Sequence, residues 1–401
     1  MKLKEPIRVL LIPSSDYLGH PFPQRHNHLF ERLHDERLFE VHVVRFNIFG
    51  KPRLETKCII HEIPLEFKTS KTPLYYLANA TSYTNEILKT VKQESIDVVV
   101  AGNLLPPLLY SLAVKLVERR IPFVFDLQDY YPTSAAGYIT NTDSLAGMLV
   151  RGVFEAMTQY LIRIANCVTV PGIALAMYAK SVGAKDVHII PNGVSEHFLK
   201  LHDGGKIRRE LGFEENDLVV GYIGSIEFWL DMEPLIKAIS SLHKQDAQIK
   251  LMLIGKHLQT GYPQKVEYWI KKHGIVKITT WLDFVPHEKV PEYIAAINIG
   301  TIPFNVKNPT AYYAAPNKLW EYLSQKRLVV STPIPEAAIN RDSVFIARDE
   351  HGYMCLFKGY LSEERNRWYK IIEKGHSKVR RRTWQHSVQK LANLLITFVR
   401  R

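Results

Sequence analysis

Two textures of apolar and polar positions alternate along this chain. Short runs in which nearly every residue is apolar, at 7–13, 96–101, 122–127 and 167–171, read as strands buried on both faces. Between them apolar residues recur at helical spacing. Leu29, Phe30 and Leu33 mark one helix, residues 74–91 a second, and residues 104–117 a third that opens on Pro106-Pro107. The first helix is followed by a strand at 39–46, a βαβ start. Leu149, Val153, Met157, Leu161 and Ile164 line one face of a long helix. Core packing is the expected use of that face, with a membrane surface as the alternative.

The same rhythm restarts further on. Strands are expected at 218–223, 249–254, 278–282, 297–303 and 328–332. Helices are expected at 231–242, capped by Asp231 with Leu235, Ile236, Ile239 and Leu242 inward, then at 286–296, at 363–373 capped by Ser362, and at 383–399. Residues 190–194 read as a strand ending in a turn, because Asn192 and Gly193 supply unusual backbone angles. A chain of 401 residues exceeds one ordinary core, so two α/β domains meeting near that turn are predicted, with Gly204-Gly205 a flexible connection beyond it.

Composition narrows the class. Hydrophobic content of 46% with 23% charged residues describes an ordinary globular chain. The net charge of +12 admits nucleic acid, an anionic membrane face or phosphorylated substrates as partners. Cys58, Cys167 and Cys355 are widely separated and show no metal spacing, which points to a reducing cytoplasm. The first residues precede only a short apolar run, so no signal peptide is expected, and no run approaches the ~20 apolar residues that span a bilayer.

The richest local chemistry lies at 315–323. Pro316 suits a helix start. Leu319, Tyr322 and Leu323 share an inward face, and Lys318 and Glu321 share another. A helix N-terminus with a cation is a place to hold phosphate. Glu321, one turn in, is placed to accept hydrogen bonds from sugar hydroxyls. The bland alternative is a surface helix with a solvated ion pair. Acidic residues also end the strand at 122–127, where Asp129 either faces a binding crevice or caps a turn. The loop after the first strand, with Gly19 and His20, lies on the usual ligand side of a parallel sheet. Its single Gly is not a dinucleotide fingerprint.

The segment PNKLWEYLSQKRLVVST, residues 316–332, resembles the P-x-K-x-x-E-Y-L-A-x-G-x-P-V-V signature of family 4 glycosyltransferases, with Ser324, Lys326 and Leu328 standing where that pattern has Ala, Gly and Pro. Residues 221–231 resemble a variant reading G-Y-x-G-x-x-x-x-W-x-D, residues 190–194 the I-P-N-G-V crossover, and residues 126–132 the element D-x-R-D-x-W-P, in which this chain has Gln128 and Asp129. The acidic pair E-x7-E has its second Glu at Glu321, while Tyr313 stands at the first.

The resemblance implies a GT-B fold, two Rossmann-like β/α/β domains facing each other across a cleft. Residues 1–193 would be the acceptor side and 194–382 the nucleotide-sugar side, with 383–401 a helix returning to the first domain. It implies a retaining transferase moving sugar from a nucleoside-diphosphate sugar to a lipid-linked or other saccharide acceptor. The catalytic candidates are Asp129, Lys318 and Glu321. Gly224, Ser225, Gly255, Lys256, Asn305, Pro316 and Asn317 join the last two around the donor, and Gly19, His20, Gln128 and Asn192 are cleft candidates. Asn308, Thr310 and Tyr312 are further candidates for the donor sugar. The usual Arg and Lys that neutralise the diphosphate are absent, so Lys318, then Lys256, take that task. No cofactor or metal is expected, since there is no D-x-D element. The expected location is cytoplasmic, with the inner membrane face a partner. Two alternatives stand beside this one: a sugar-nucleotide epimerase using the same cleft, and a basic nucleic-acid- or membrane-binding protein resting on the net charge and Lys378-Val379-Arg380-Arg381-Arg382.

Overall fold

The computed structural model describes residues 5–46, 50–63, 79–103, 106–139, 144–255, 261–362 and 365–399. The chain forms two compact units, residues 1–192 with 384–401, and residues 193–383.

In the first unit the strands are β1 (Ile7–Ile12), β2 (Phe39–Arg45), β3 (Ile59–Glu62), β4 (Val98–Gly102), β5 (Phe123–Asp126), β6 (Cys167–Val170) and β7 (Val187–Ile189). They pair in parallel in the order β3-β2-β1-β4-β5-β6-β7. This is the doubly wound order, in which the loops at the C-terminal strand ends gather where the order reverses, at β1 and β4. β4 is buried throughout and β1 at every position but Arg8, which is why both read as apolar runs. The last helix, Trp384–Val399, belongs to this unit. Its Trp384 stacks on His28 with ring centroids 4.6 Å apart, and Ser387 Oγ donates to the Pro191 carbonyl at 2.6 Å.

The second unit holds β8 (Leu218–Ile223), β9 (Ile249–Ile254), β10 (Thr279–Leu282), β11 (Ile299–Ile302), β12 (Leu328–Ser331) and β13 (Phe345–Ile346), parallel in the order β10-β9-β8-β11-β12-β13. Leu235, Ile236, Ile239 and Leu242 of the Glu233–His243 helix are buried, as their spacing requires.

Four local expectations are corrected. The strand before the domain turn is β7, and residues 190–193 are not a strand: Ile190 N–H still bonds the Val170 carbonyl, but Pro191 has no donor to continue the ladder. Asp231 does not cap its helix, because its N–H donates to the Pro303 carbonyl at 2.8 Å and the helix starts two residues later. Ser362 ends the helix Glu350–Leu361 instead of opening the next, its hydroxyl donating to the Gly359 carbonyl at 2.8 Å.

The fourth concerns the helix Leu145–Ile164. It buries Phe154, Thr158, Leu161 and Ile162 and leaves Leu149 and Val153 64% and 52% exposed. This helix is apolar around much of its circumference, so spacing alone offers two stripes. Contact with the helices Tyr131–Ile139 and Pro106–Glu118 selects the one through Phe154.

Candidate active site

Each unit carries one constellation at the C-terminal ends of its strands. In the second unit Gly224 immediately follows β8 and Gly255 immediately follows β9. Both have positive φ, +141° and +156°, a region that L side chains rarely adopt. A Cβ on Gly255 would collide with the Gly224 carbonyl oxygen. The two turns therefore stack directly on one another. Gly224 N–H donates to the Ile254 carbonyl and Gly255 N–H to the Leu282 carbonyl, each at 2.9 Å.

Lys318 comes to this glycine floor from the helix Asn317–Ser324, whose buried face is Leu319, Trp320, Tyr322 and Leu323. Pro316 sits one residue earlier than a first-turn position, as the N-cap, and Asn317 is the first helical residue. The helix is fixed from inside by Tyr322, whose phenol oxygen accepts from the Ile223 N–H at 2.9 Å. The next turn accepts Lys326 at φ +53°, where the family pattern has Gly, and its Nζ pairs with Glu373 Oε1 at 2.6 Å.

Lys318 Nζ lies 2.7 Å from where a Gly224 Cβ would stand, so the glycine makes room for the ammonium. It donates to Tyr222 Oη at 3.2 Å and sits 4.6 Å and 5.2 Å from the ring centroids of Tyr222 and Phe304. Tyr222 in turn donates to the Ser225 carbonyl at 2.7 Å, which fixes the phenol as an acceptor for Lys318. Burial lowers the Lys318 ammonium to about 8, with Glu321 opposing. Burial raises the Glu321 carboxyl to about 7, with Lys318 opposing. The half-buried Glu321 side chain has no hydrogen bond or ion pair with another described residue.

The loops framing this floor are clipped together. Asp231 N–H bonds the Pro303 carbonyl and Asn305 N–H the Trp229 carbonyl, both at 2.8 Å. Gly224, Ser225, Gly255 and Lys318 are thus brought together, with Asn305 on the adjoining loop. The side chains of Asn305 and Asn308 accept from Lys307 N–H and Thr310 N–H at 3.0 Å and 2.9 Å, so both serve first as turn caps. Lys256 lies outside the described residues. Tyr222 had only its place in the G-Y-x-G resemblance as a signal in sequence, and Phe304 had none: each is an ordinary core-type aromatic until the fold sets it under Lys318.

In the first unit the strand ends converge on Asp126, not on Asp129. Asp126 is buried at the end of β5. Its two oxygens accept from Arg25 Nε and Nη2, each at 3.1 Å, from Gln128 Nε2 at 3.1 Å and from Thr169 Oγ1 at 2.7 Å. His26 Nε2 lies 3.1 Å from Oδ2, while its Nδ1 accepts from the Ser14 N–H at 3.4 Å. Burial would raise this carboxyl. The Arg25 guanidinium, then His26, outweigh it and hold the group far below the usual carboxylate range. Arg25 Nη1 also donates to Asn192 Oδ1 at 2.8 Å. Gly102, ending β4, leaves the space that the His26 ring fills.

Of the cleft candidates, Gln128 and Asn192 join this cluster. Gly19 and His20 belong to a separate turn, Gly19 N–H bonding Asp16 Oδ1 at 3.0 Å and His20 Nδ1 lying 3.0 Å from the Phe22 carbonyl oxygen. Asp129 is exposed beside the cluster, its carbonyl accepting from Asn103 Nδ2 at 2.7 Å. The missed residue had a signal, since Asp126 is the one charge ending an otherwise apolar strand. Its partners Arg25 and His26 had none, for they look like the polar opening of an amphipathic helix.

Comparison with known proteins sets these sites in context. Residues 24–198 match the sequence model described as Glycosyltransferase Family 4, and residues 203–337 the one described as Glycosyl transferases group 1. This chain is a glycosyltransferase. Its fold is GT-B, shared with solved structures at low identity. The sucrose-phosphate synthase of Thermosynechococcus elongatus superposes with a TM-score of 0.74 at 15% identity, over 98% of each chain. HepE of Anabaena, in complex with UDP-glucose, gives 0.69 at 17% identity, over 98% of this glycosyltransferase and 100% of HepE. WaaG, a glycosyltransferase involved in lipopolysaccharide biosynthesis, gives 0.64 at 15%, over 96% and 99%. No curated protein sequence matches the glycosyltransferase significantly.

Proposed function

We propose that this enzyme transfers a sugar from a nucleoside-diphosphate sugar to a saccharide or lipid-linked acceptor, with retention of anomeric configuration. The observation that carries the reading is the Lys318 ammonium. It is held over two positive-φ glycines at a helix start, with aromatic faces and a phenol as its described surroundings and no carboxylate bonded to it. A cation desolvated in this way is poised for an anion brought by a substrate. The donor diphosphate fits. Gly224 and Gly255 let backbone approach it closely, Lys318 neutralises it, and Glu321 accepts from the ribose hydroxyls. HepE, which shares the fold, binds UDP and UDP-glucose.

As the glycosidic bond to the donor breaks, negative charge collects on the leaving diphosphate. Lys318 and the free N–H groups of its helix stabilise that charge where it develops. The second Glu of the acidic pair is present, but Tyr313 stands at the first position, so the donor sugar takes its hydrogen bonds from the Asn305 loop. On the acceptor side the Asp126 cluster is fully bonded and acts as a scaffold. Asp129, exposed beside it, is the group that meets the acceptor.

Thermal-shift measurements with UDP, GDP, ADP and dTDP, and with their sugar conjugates, test the donor site. At a ligand concentration of 100 times Kd the fold gains about 2.7 kcal/mol, enough to read as a melting-temperature rise. One nucleotide class is expected to raise the melting temperature, and Glu321→Ala to abolish the rise. A rise that survives Glu321→Ala places the nucleotide elsewhere.

The acceptor side also fits a membrane surface. Leu145, Met148, Leu149 and Val153 of the Leu145–Ile164 helix are 75%, 52%, 64% and 52% exposed, on a chain of net charge +12. Among the described residues no helix is long and apolar enough to cross a membrane. Such a face lies in the headgroup region and is drawn there by anionic lipid. Wild type is expected to sediment with phosphatidylglycerol vesicles and Leu149→Asp to stay in solution. Equal sedimentation of the two would remove this helix from the reading.

A further inference from the structure

We propose that Cys167, Asp186 and His188 bind a zinc ion at the edge of the first sheet. Cys167 opens β6, Asp186 immediately precedes β7, and His188 lies within β7. In the parallel register Val168 faces Val187 and Thr169 faces His188. Alternation along each strand therefore sends Cys167, Asp186 and His188 to the same face. Their ligand atoms, a thiol sulfur, a carboxylate oxygen and an imidazole nitrogen, all lie within 4.8 Å of one another. His188 Nε2 and Asp186 Oδ2 are 3.0 Å apart. In a tetrahedral zinc site, bonds of 2.0–2.3 Å set ligand atoms about 3.3–3.8 Å apart. Side-chain rotation of about an ångström closes the set.

The chemistry suits zinc over the hard cations. Thiolate is a soft ligand and imidazole a borderline one, whereas magnesium and calcium take oxygen. On binding, the Cys167 thiol proton leaves to solvent. The thiolate and the Asp186 carboxylate then cancel the two positive charges, and the complex is neutral, which a half-buried site tolerates. A cavity runs beside the set, lined by Asp186, His188 and Ile189 in and next to β7 and by Lys390, Asn393 and Thr397 on the last helix. It gives the ion an entry path and room for a water as fourth ligand. Cys167 and Asp186 stand at the N-terminal ends of their strands, away from the C-terminal ends where Asp126 sits. The ion is accordingly structural, tying the edge strand β7 to β6.

A competing thiol–imidazole pair exists on the helix Glu350–Leu361, where Cys355 Sγ and His351 Nε2 are 3.4 Å apart and Cys355 is exposed. The test must separate the two. The full chain, stripped with chelator, is titrated with zinc and, for its spectrum, with cobalt(II). One equivalent of zinc per chain is expected, with a cobalt–thiolate charge-transfer band that persists in Cys355→Ser and vanishes in Cys167→Ser. His188→Ala, on a partly exposed side chain, is expected to weaken zinc binding at least about 100-fold, the upper range for losing even an outer partner of a zinc ligand. Its melting temperature without metal should equal that of wild type. The proposal fails if wild type shows no band, if the band survives Cys167→Ser, or if His188→Ala binds zinc like wild type.

Discussion

Lys318→Met is expected to lower kcat for sugar transfer about 100- to 1,000-fold, the range found when one preorganised group facing a developing oxyanion is removed. The same substitution is expected to leave the ligand-free enzyme at least as stable as wild type. Both expectations have one cause. The ammonium is desolvated over Gly224 between the rings of Tyr222 and Phe304, with a phenol as its hydrogen-bond partner. In the empty site it is a charge without a counter-charge bonded to it. Methionine fills similar space without that penalty. A stability–activity trade of this kind is a mark of a functional group, for a structural lysine lost from a helix would destabilise.

The pH dependence follows from the same pair. On the proposed reading, donor capture needs Lys318 charged and Glu321 ionised. In the free enzyme the first holds below about 8 and the second above about 7. The profile of kcat/KM, which reports the free enzyme, is therefore expected to be a narrow bell centred between these values. Glu321→Gln should remove its acidic limb. Stability carries the opposite signature. The folded-state pKa of Lys318 is depressed from 10.5 to about 8, so the unfolded chain binds more protons in that interval and stability rises with pH through it. Lys318→Met should flatten that rise. A broad, flat rate profile for wild type would place the donor charge elsewhere.

Asp126→Ala is expected to destabilise the first unit by about 3–5 kcal/mol, because it leaves the Arg25 guanidinium buried without its carboxylate. Thr169, Gln128 and His26 lose an acceptor in the same step. For a unit of this size each kcal/mol moves the melting temperature by about 2–4 °C, so the shift is on the order of 10 °C. Asp129→Ala, an exposed neighbour, should stay within about 0.5 kcal/mol of wild type. It should lower turnover through the acceptor instead. The depressed folded-state pKa of Asp126 means that its stabilisation is present above the unfolded value and is lost as pH falls below about 4 toward the folded one. Acid unfolding of wild type should therefore begin near there, and Asp126→Asn should lack that component. Equal melting of Asp126→Ala and Asp129→Ala would overturn the assignment of Asp126 as the buried scaffold.

The βα rhythm and the two α/β domains were legible in the order of residues, because a strand buried on both faces must be apolar at every position and a helix packed on it must be apolar at every third or fourth. Residues 218–223 satisfy the first condition fully, residues 7–13 and 249–254 satisfy it apart from the half-buried Arg8 and Lys250, and the strands form there. The Lys318–Glu321 pair was legible too, because one helix turn fixes which residues share a face.

What the sequence could not contain were the choices made by contact between distant segments. The Leu145–Ile164 helix had two apolar stripes, and only its neighbours selected the buried one. Asp126 and Asp129 lie three residues apart with similar local surroundings. Which of them is buried depends on Arg25 and Thr169, reached from other elements. Tyr222 and Phe304 became the cradle of a cation only when β8 and β11 set them beside Lys318. Cys167 and His188 became neighbours only through the register of β6 and β7. Periodicity is written in local order, whereas electrostatic partners are chosen by the packing of the sheet.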